Sequence, residues 1–415
     1  MILFYLLIWG MPLSQHHVWA RFFGELTVIK YLGTACLLYS LIHVAARGEI
    51  PAFFRTKSAC WFALLYLVAT ISYWSKGASQ GWEMSPFMSY TAFLLLFIIT
   101  LAVVDSLERL RGTLLIAIGS VAFASLYVLR EYQKYHTIYI DFRPGWVVGD
   151  SNYFAASALL CLPLAFYLAR EDRFLIVRWF CFGCLIVTLA AMILAASRGG
   201  FVGLLAAFIV VVWRSSQRFR NLAIVAGLLL PLLMLAPASP LQRFLHPSHG
   251  DEEAVHNRTI VWKAAWRMVE LHPWAGVGLG NFKANVVAYE DQGEIAENIA
   301  HNAYLEIAAE LGLPALLIFL SLLISVFITL EKVYRLTGSG SSLLKMSCLG
   351  IQAGLVGFAV SNCFVSGQYQ KLFWLMLFLS MSMPALTEHA RKRREVRMLE
   401  QIAPVPEDRP CPVEL

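Results

Sequence analysis

The sequence predicts an all-α polytopic membrane protein, with about twelve transmembrane helices and one large helical loop outside the bilayer. Three observations predict this class. Of 415 residues, 59% are hydrophobic and only 14% charged, against roughly 25% charged in a soluble domain. The apolar residues gather into runs that approach or exceed the roughly 20 residues needed to cross a bilayer. The lysines and arginines cluster between those runs. A water-soluble fold is excluded.

The runs fall near 1–20, 28–46, 58–75, 88–104, 113–129, 153–169, 179–197, 201–213, 221–237, 312–330, 344–365 and 372–387. Pro12 interrupts the first and the eighth is short, but breaks are tolerated where neighbouring helices satisfy the freed backbone groups. Met1–Leu13 lacks a basic n-region and a small-residue cleavage site, so it reads as a retained first span. The layout divides into spans one to nine over 1–237, a loop subdomain over 238–302, spans ten to twelve over 303–387, and a basic tail over 388–415. In that tail Pro404, Pro406, Pro410 and Pro412 mark a disordered end.

Orientation follows from the basic residues, which are retained on the cytoplasmic side. With the N-terminus inside, the cytoplasmic segments hold 20 of the 33 lysines and arginines, and the short outer segments hold 8. Both termini are therefore expected in the cytoplasm. The formal charge of +6 is a topology signal, not a nucleic-acid footprint. The cluster Arg391, Lys392, Arg393, Arg394 and Arg397 anchors to anionic head groups. Seven of eight cysteines lie in or beside apolar runs and Cys411 is in the tail, so no disulfide framework is indicated. Cys181 and Cys184 simply share a helix face.

This orientation puts three segments outside: 130–152, with Tyr132, Tyr135, Tyr139, Arg143 and Asp150; the tight Ser197–Gly200 connection; and the loop 238–302. A loop that long is usually functional or disordered. Trp262, Trp266, Trp274 and Phe282 supply it with material for a packed subdomain.

Arg198 follows a long uncharged stretch and precedes Gly199 and Gly200. An arginine there is costly unless it faces a polar cavity or a partner. It either grips a phosphate or carboxylate or snorkels to lipid phosphates. In the loop, Asn257 or Thr259 is expected to cap a helix running to Pro273. Arg258, Trp262 and Trp266 recur at i, i+4 and i+8 on one face, and Lys263 and Arg267 form a second pair. Such a helix either lies on the membrane surface or presents Arg258 to an anionic lipid-linked substrate; the spacing leaves both open. Gly276, Gly278 and Gly280 follow, and with no strand before them they read as a plain turn and not as a nucleotide loop.

His301 and Asn302 open the tenth span, with His301 expected in the first helical turn. The positive end of the helix dipole would keep the ring neutral, ready to accept a proton from a hydroxyl; the plainer alternative is a capping histidine. Glu306 and Glu310 either orient a polar site or fill surface positions. No D-x-D, H-E-x-x-H, G-x-S-x-G or Walker motif is present, so no metal or other cofactor is expected. Transport is disfavoured because the spans are almost free of the mid-membrane charges transporters use.

These pieces occur in a familiar order. S197-R-G-G, R258-x-x-x-W-x-x-A-W, P273-W-A-G-V-G-L-G-N-F and H301-N-A-Y-L-E-x-x-x-E-L-G, with G149-D-S-N-Y-F-A before them, resemble the O-antigen ligase family. That family also includes Wzy-type polymerases and bacterial O-oligosaccharyltransferases. The resemblance covers about residues 145 to 330. It implies a bacterial inner-membrane glycosyltransferase moving a glycan from undecaprenyl diphosphate to an acceptor such as lipid A–core at the periplasmic face, without metal. It implies that His301 deprotonates the acceptor while Arg198 and Arg258 stabilise the leaving diphosphate, with inversion at the anomeric carbon. Asn302, Arg267, Lys263 and Asn152 are expected to bind substrate. Some ligases carry an acidic residue in the last outer loop; here Asn362–Lys371 has none, leaving Gln368 or Lys371 to contribute.

Overall fold

The computed structural model describes residues 1–13, 28–47, 56–77, 86–138, 142–145, 150–215, 217–235, 249–290, 298–337 and 343–402. The second part of the first span, Tyr139, Gly149, the start of the large loop, Cys411 and the four tail prolines lie outside the described residues. Among the described residues there are fourteen α-helices, three short 3-10 turns and no strand.

The helices are α1 (Ile2–Gly10), α2 (Val28–Arg47), α3 (Lys57–Lys76), α4 (Pro86–Val103), α5 (Leu107–Tyr135), α6 (Ser151–Glu171) and α7 (Leu175–Leu194). They continue with α8 (Arg198–Trp213), α9 (Arg218–Leu235), α10 (His249–Leu271), α11 (Phe282–Asn285), α12 (Ala303–Leu336), α13 (Leu343–Ser361) and α14 (Lys371–Ile402). Seven of them, α3, α4, α5, α6, α7, α12 and α13, are long and apolar enough to cross a membrane. The chain is a multi-pass membrane protein. The expected count of twelve is not reached among the described residues, and three of the five other expected spans have a visible reason. Helix α1 has nine residues, α8 has sixteen, and α14 passes from an apolar first half into the basic cluster. Residues 388–402, the first part of the basic tail, are the helical continuation of α14.

Helices α6 and α13 form the centre of the bundle, with α13 against both α6 and α8. Small residues let these backbones approach, as is usual between membrane helices. A Cβ on Gly354 would stand 2.9 Å from the carbonyl oxygen of Leu160, and one on Gly203 only 2.5 Å from that of Gly357. Beside this seam, Trp374 of α14 packs against Phe62 of α3 at 5.4 Å and Phe93 of α4 at 5.0 Å. Its indole N–H donates to the Gln368 carbonyl at 2.8 Å, tying the aromatic core to the loop above it.

At the end of the bundle where α6, α8 and α12 begin, the large loop builds a small core of its own. Val261, Ala264, Ala265, Met268 and Val269 of α10 pack on Phe282, Val286, Ala308 and Ala309. Helix α10 starts at His249, eight residues before the expected caps; Thr259 lies inside it, with its hydroxyl donating to the Val255 carbonyl at 2.9 Å. The glycine turn after α10 is a wedge. Val277 and Gly278 donate to the carbonyls of Ala309 and Glu310, each at 2.9 Å, so their N–H groups are consumed within the protein. Across the wedge α12 breaks at Gly312 (φ 83°), one residue before Leu313 donates to the Pro273 carbonyl.

Candidate active site

Three helix starts converge on the candidate site, and each is fixed by a polar side chain satisfying otherwise orphaned N–H groups. Asp150 caps α6, its Oδ1 accepting from Asn152 and Tyr153 at 2.7 and 3.3 Å. Ser197 caps α8 through the N–H of Gly200 at 3.1 Å. Asn302 caps α12, accepting from Tyr304 and Leu305 at 3.1 Å each. Just before two of these caps stands the same unusual backbone. Ala196 and His301 both have φ 49° and are the only described non-glycine residues with positive φ. Such strain persists only where the surroundings enforce it, and it concentrates at functional sites.

The three starts are tied together. Arg143 donates to Ser151 Oγ at 2.5 Å and to Asn152 Oδ1 at 3.2 Å. Ser197 donates to that same oxygen at 2.8 Å. Ala303 donates to the carbonyls of Asn362 and Val365, bringing α12 under the loop between α13 and α14. Arg198 is thereby held by the α8 start, and Arg143 by the α6 start.

Electrostatics places the charged members in one neighbourhood. The guanidinium of Arg258 is pushed below its ordinary pKa by burial first, then by the positive charges of Arg198 and Arg143, with Asp150 opposing. Arg143 is lowered by burial and by Arg198, again with Asp150 opposing. His301 is lowered by burial first, then by Arg258, while Asp150 pulls it upward. A depressed pKa keeps the imidazole neutral near pH 7. Its Nδ1 is buried with no hydrogen-bond partner, as is Nε of Arg143. Native proteins rarely leave such atoms unpaired.

Arg198, Arg258, His301 and Asn152, named from the sequence, thus come together. Three other expected members have different surroundings. Asn302 spends its carbonyl oxygen on the helix cap. Arg267 donates to the Tyr289 carbonyl at 3.1 Å, bracing the loop core. Lys263 is exposed, five residues from Arg258 and so roughly 140° around the helix. His301 precedes the cap rather than occupying the first turn, because the Asn302 side chain takes the capping position. Burial and then Arg258 lower its pKa.

Arg143 was missed as a site residue. Its signal in the sequence was its company, since Asp150 and Asn152 follow it at the next helix start. The helix face expected for Arg258, Trp262 and Trp266 also divides. Trp262 turns inward, its indole donating to the Ala300 carbonyl at 2.8 Å, whereas Trp266 is 57% exposed and bonds Glu270. Glu306 and Glu310, open to a surface reading, are buried. Glu310 accepts from the Phe282 N–H at 3.2 Å and from Tyr369 at 3.3 Å. Among the described residues no three His, Cys, Asp or Glu side chains are grouped to hold a metal ion.

No curated protein matches this chain in sequence. Residues 183–320, a third of the chain, match a family model described as O-antigen ligase. The matched segment contains Arg198, Arg258 and His301; Arg143, Asn152 and the loop between α13 and α14 lie beyond it. The likeness to the O-antigen ligase family, first read from motifs, is thereby shown across the segment that carries those three residues.

Proposed function

We propose that the protein transfers a glycan from undecaprenyl diphosphate to a hydroxyl of an acceptor, with lipid A–core as the leading acceptor. One observation carries the reading. Three guanidinium groups, Arg143, Arg198 and Arg258, share a half-buried neighbourhood with an imidazole that burial keeps neutral. The acceptor hydroxyl gives its proton to His301 as its oxygen attacks the anomeric carbon. The bond from that carbon to the diphosphate oxygen breaks on the opposite side, so the product is inverted. The departing diphosphate gains negative charge where the guanidiniums stand, and donors prepared for developing charge are often the largest catalytic contribution. No metal takes part in this scheme.

The site-bearing end of the bundle is the periplasmic one. The opposite end carries Arg170, Arg173, Arg178, Arg214, Arg218 and Arg220, as expected of a cytoplasmic face. Twelve crossings then leave both termini in the cytoplasm of a bacterial inner membrane, with the loop subdomain in the periplasm.

The test is transfer by purified protein from a lipid-linked glycan to a panel of lipid A–core, growing polysaccharide and protein acceptors. Product on lipid A–core alone identifies a ligase, whereas product on glycan or protein identifies a polymerase or O-oligosaccharyltransferase. His301→Ala should abolish product, and a chelator should leave the rate unchanged. Undiminished transfer by His301→Ala would remove the proposed base.

A further inference from the structure

The strained His301 is preceded by a residue held from both sides. The N–H of Ala300 donates to Glu306 Oε2 at 3.1 Å, while its carbonyl accepts from the Trp262 indole at 2.8 Å. Glu306 also accepts from Ser366 Oγ at 2.5 Å and from Gln368 Nε2 at 2.6 Å, and it is only 3% exposed. Ser366 in turn receives the Tyr153 hydroxyl on its carbonyl at 3.0 Å. Tyr153 is the neighbour of Asn152, which holds Arg143. A continuous polar path therefore joins the α6 start to the His301 backbone through the last outer loop and Glu306. That loop, which has no carboxylate of its own, is served by one from α12.

We infer that Glu306 is a positioning residue for the transfer reaction: with Trp262 it fixes Ala300, and through Ala300 it holds His301 in the left-handed conformation that aims its imidazole at the acceptor. This rests on the assignment of His301 as the base. A carboxylate placed under a membrane-boundary loop is costly to bury, and packing alone does not require one here. Its three hydrogen bonds give it a use, one reaching Ala300 beside His301 and two reaching the loop that Tyr153 joins to the α6 start. Misplacement of a catalytic group by 1 Å can cost on the order of a hundredfold in rate.

The test measures kcat and KM for the lipid-linked donor in Glu306→Ala, Glu306→Gln and Trp262→Phe. Glu306→Ala should lower kcat by about tenfold to a hundredfold and leave KM for the donor within about twofold, because Arg143 is held by Ser151 and Asn152 and the other two arginines stand on α8 and α10. Glu306→Gln should recover most of kcat. Its carbonyl oxygen replaces Oε2, and its amide N–H can face Gln368, whose own Oε1 is unpartnered and free to turn toward it. Trp262→Phe, which removes only the other hold on Ala300, should also lower kcat with KM unchanged. A wild-type kcat in Glu306→Ala overturns the inference, as does a parallel loss of kcat and donor affinity. So does Glu306→Gln no better than alanine. If Glu306→Ala fails to accumulate, Trp262→Phe decides, and a wild-type kcat there overturns it. His301→Ala separates the two levels. Transfer by that variant defeats the reading of the site itself, whereas its loss beside intact Glu306 and Trp262 variants defeats only the positioning role.

Discussion

Ser197 donates its hydroxyl to Asn152 at 2.8 Å, joining the starts of α8 and α6 through a single oxygen that also receives Arg143. Two cationic residues, Arg198 at the start of α8 and Arg143 in the segment before α6, are thus set by one amide. Asn152→Ala should raise KM for the lipid-linked donor and lower kcat/KM by about tenfold or more, since a hydrogen bond to a charged group contributes roughly 1.5–3 kcal/mol. Asn152→Asp, which keeps an acceptor at the same place, should lose less. Steady-state kinetics on the two variants checks this; equal loss in both would argue that the amide merely fills space.

How far the site was legible follows from the kinds of signal involved. Arg198 stood out because it follows a long uncharged stretch at a predicted boundary, and His301 because it opens the segment that leads into the tenth span. Asn152 came from a motif. Arg143 carried no such mark. It lies in a polar segment where an arginine costs nothing until Asp150 and Ser151 fold back over it. The fold class was readable from composition alone, but the helix starts were not. Thr259 looked like a cap because β-branched hydroxyl residues favour caps; inside α10 its hydroxyl turns back to the Val255 carbonyl instead. Lys263 and Arg267 illustrate the limit of periodicity. Spacing identifies a shared face but not what that face meets.

The pH dependence of transfer should have an acid limb below the ordinary histidine value of about 6.5. Burial and Arg258 lower the His301 pKa, so the neutral, proton-accepting form predominates at pH 7 and is lost as pH falls through the depressed value. Asp150 acts in the opposite sense, raising it. Asp150→Asn keeps a helix-capping side chain and removes that charge, so its limb should move to still lower pH. A pH profile of kcat/KM for both proteins measures this. An Asp150→Asn limb shifted upward would contradict the electrostatic arrangement.

The glycine wedge should be intolerant where a bundle glycine is not. At Gly276 φ is 62°, and a Cβ would stand 2.3 Å from the carbonyl carbon and oxygen of Glu310. Gly276→Ala therefore forces α12 away from the turn, in addition to roughly 1–2 kcal/mol of left-handed backbone strain. At Gly183 in α7 nothing lies within 4 Å, and Gly→Ala in a helix gains about 0.5–1 kcal/mol. Thermal unfolding in detergent should show a clear drop for Gly276→Ala and none for Gly183→Ala. A drop in Gly183→Ala alone would reverse the assignment of the wedge as a structural lock.

At the opposite end of the bundle, stability and activity should separate. Asp172 caps the end of α6 with its side chain fully buried, and Oδ1 accepts from Arg111 at 2.8 Å and from the Phe174 N–H at 2.9 Å. Arg111 also stacks 4.7 Å over the Phe174 ring. Removing one partner of a buried pair leaves an uncompensated charge and costs about 3–5 kcal/mol, whereas replacing both is often close to neutral. Arg111→Ala should therefore lower the unfolding temperature strongly. The double change Arg111→Met with Asp172→Asn, whose Asn can still accept from Phe174, should recover most of the loss. Because neither residue touches the arginine–histidine neighbourhood, the fraction of Arg111→Ala that remains folded should show an unchanged KM for the lipid-linked donor. A raised KM in that folded fraction would mean that the two ends of the bundle are coupled, and that the Arg111–Asp172 ion pair also tunes the arginine–histidine site.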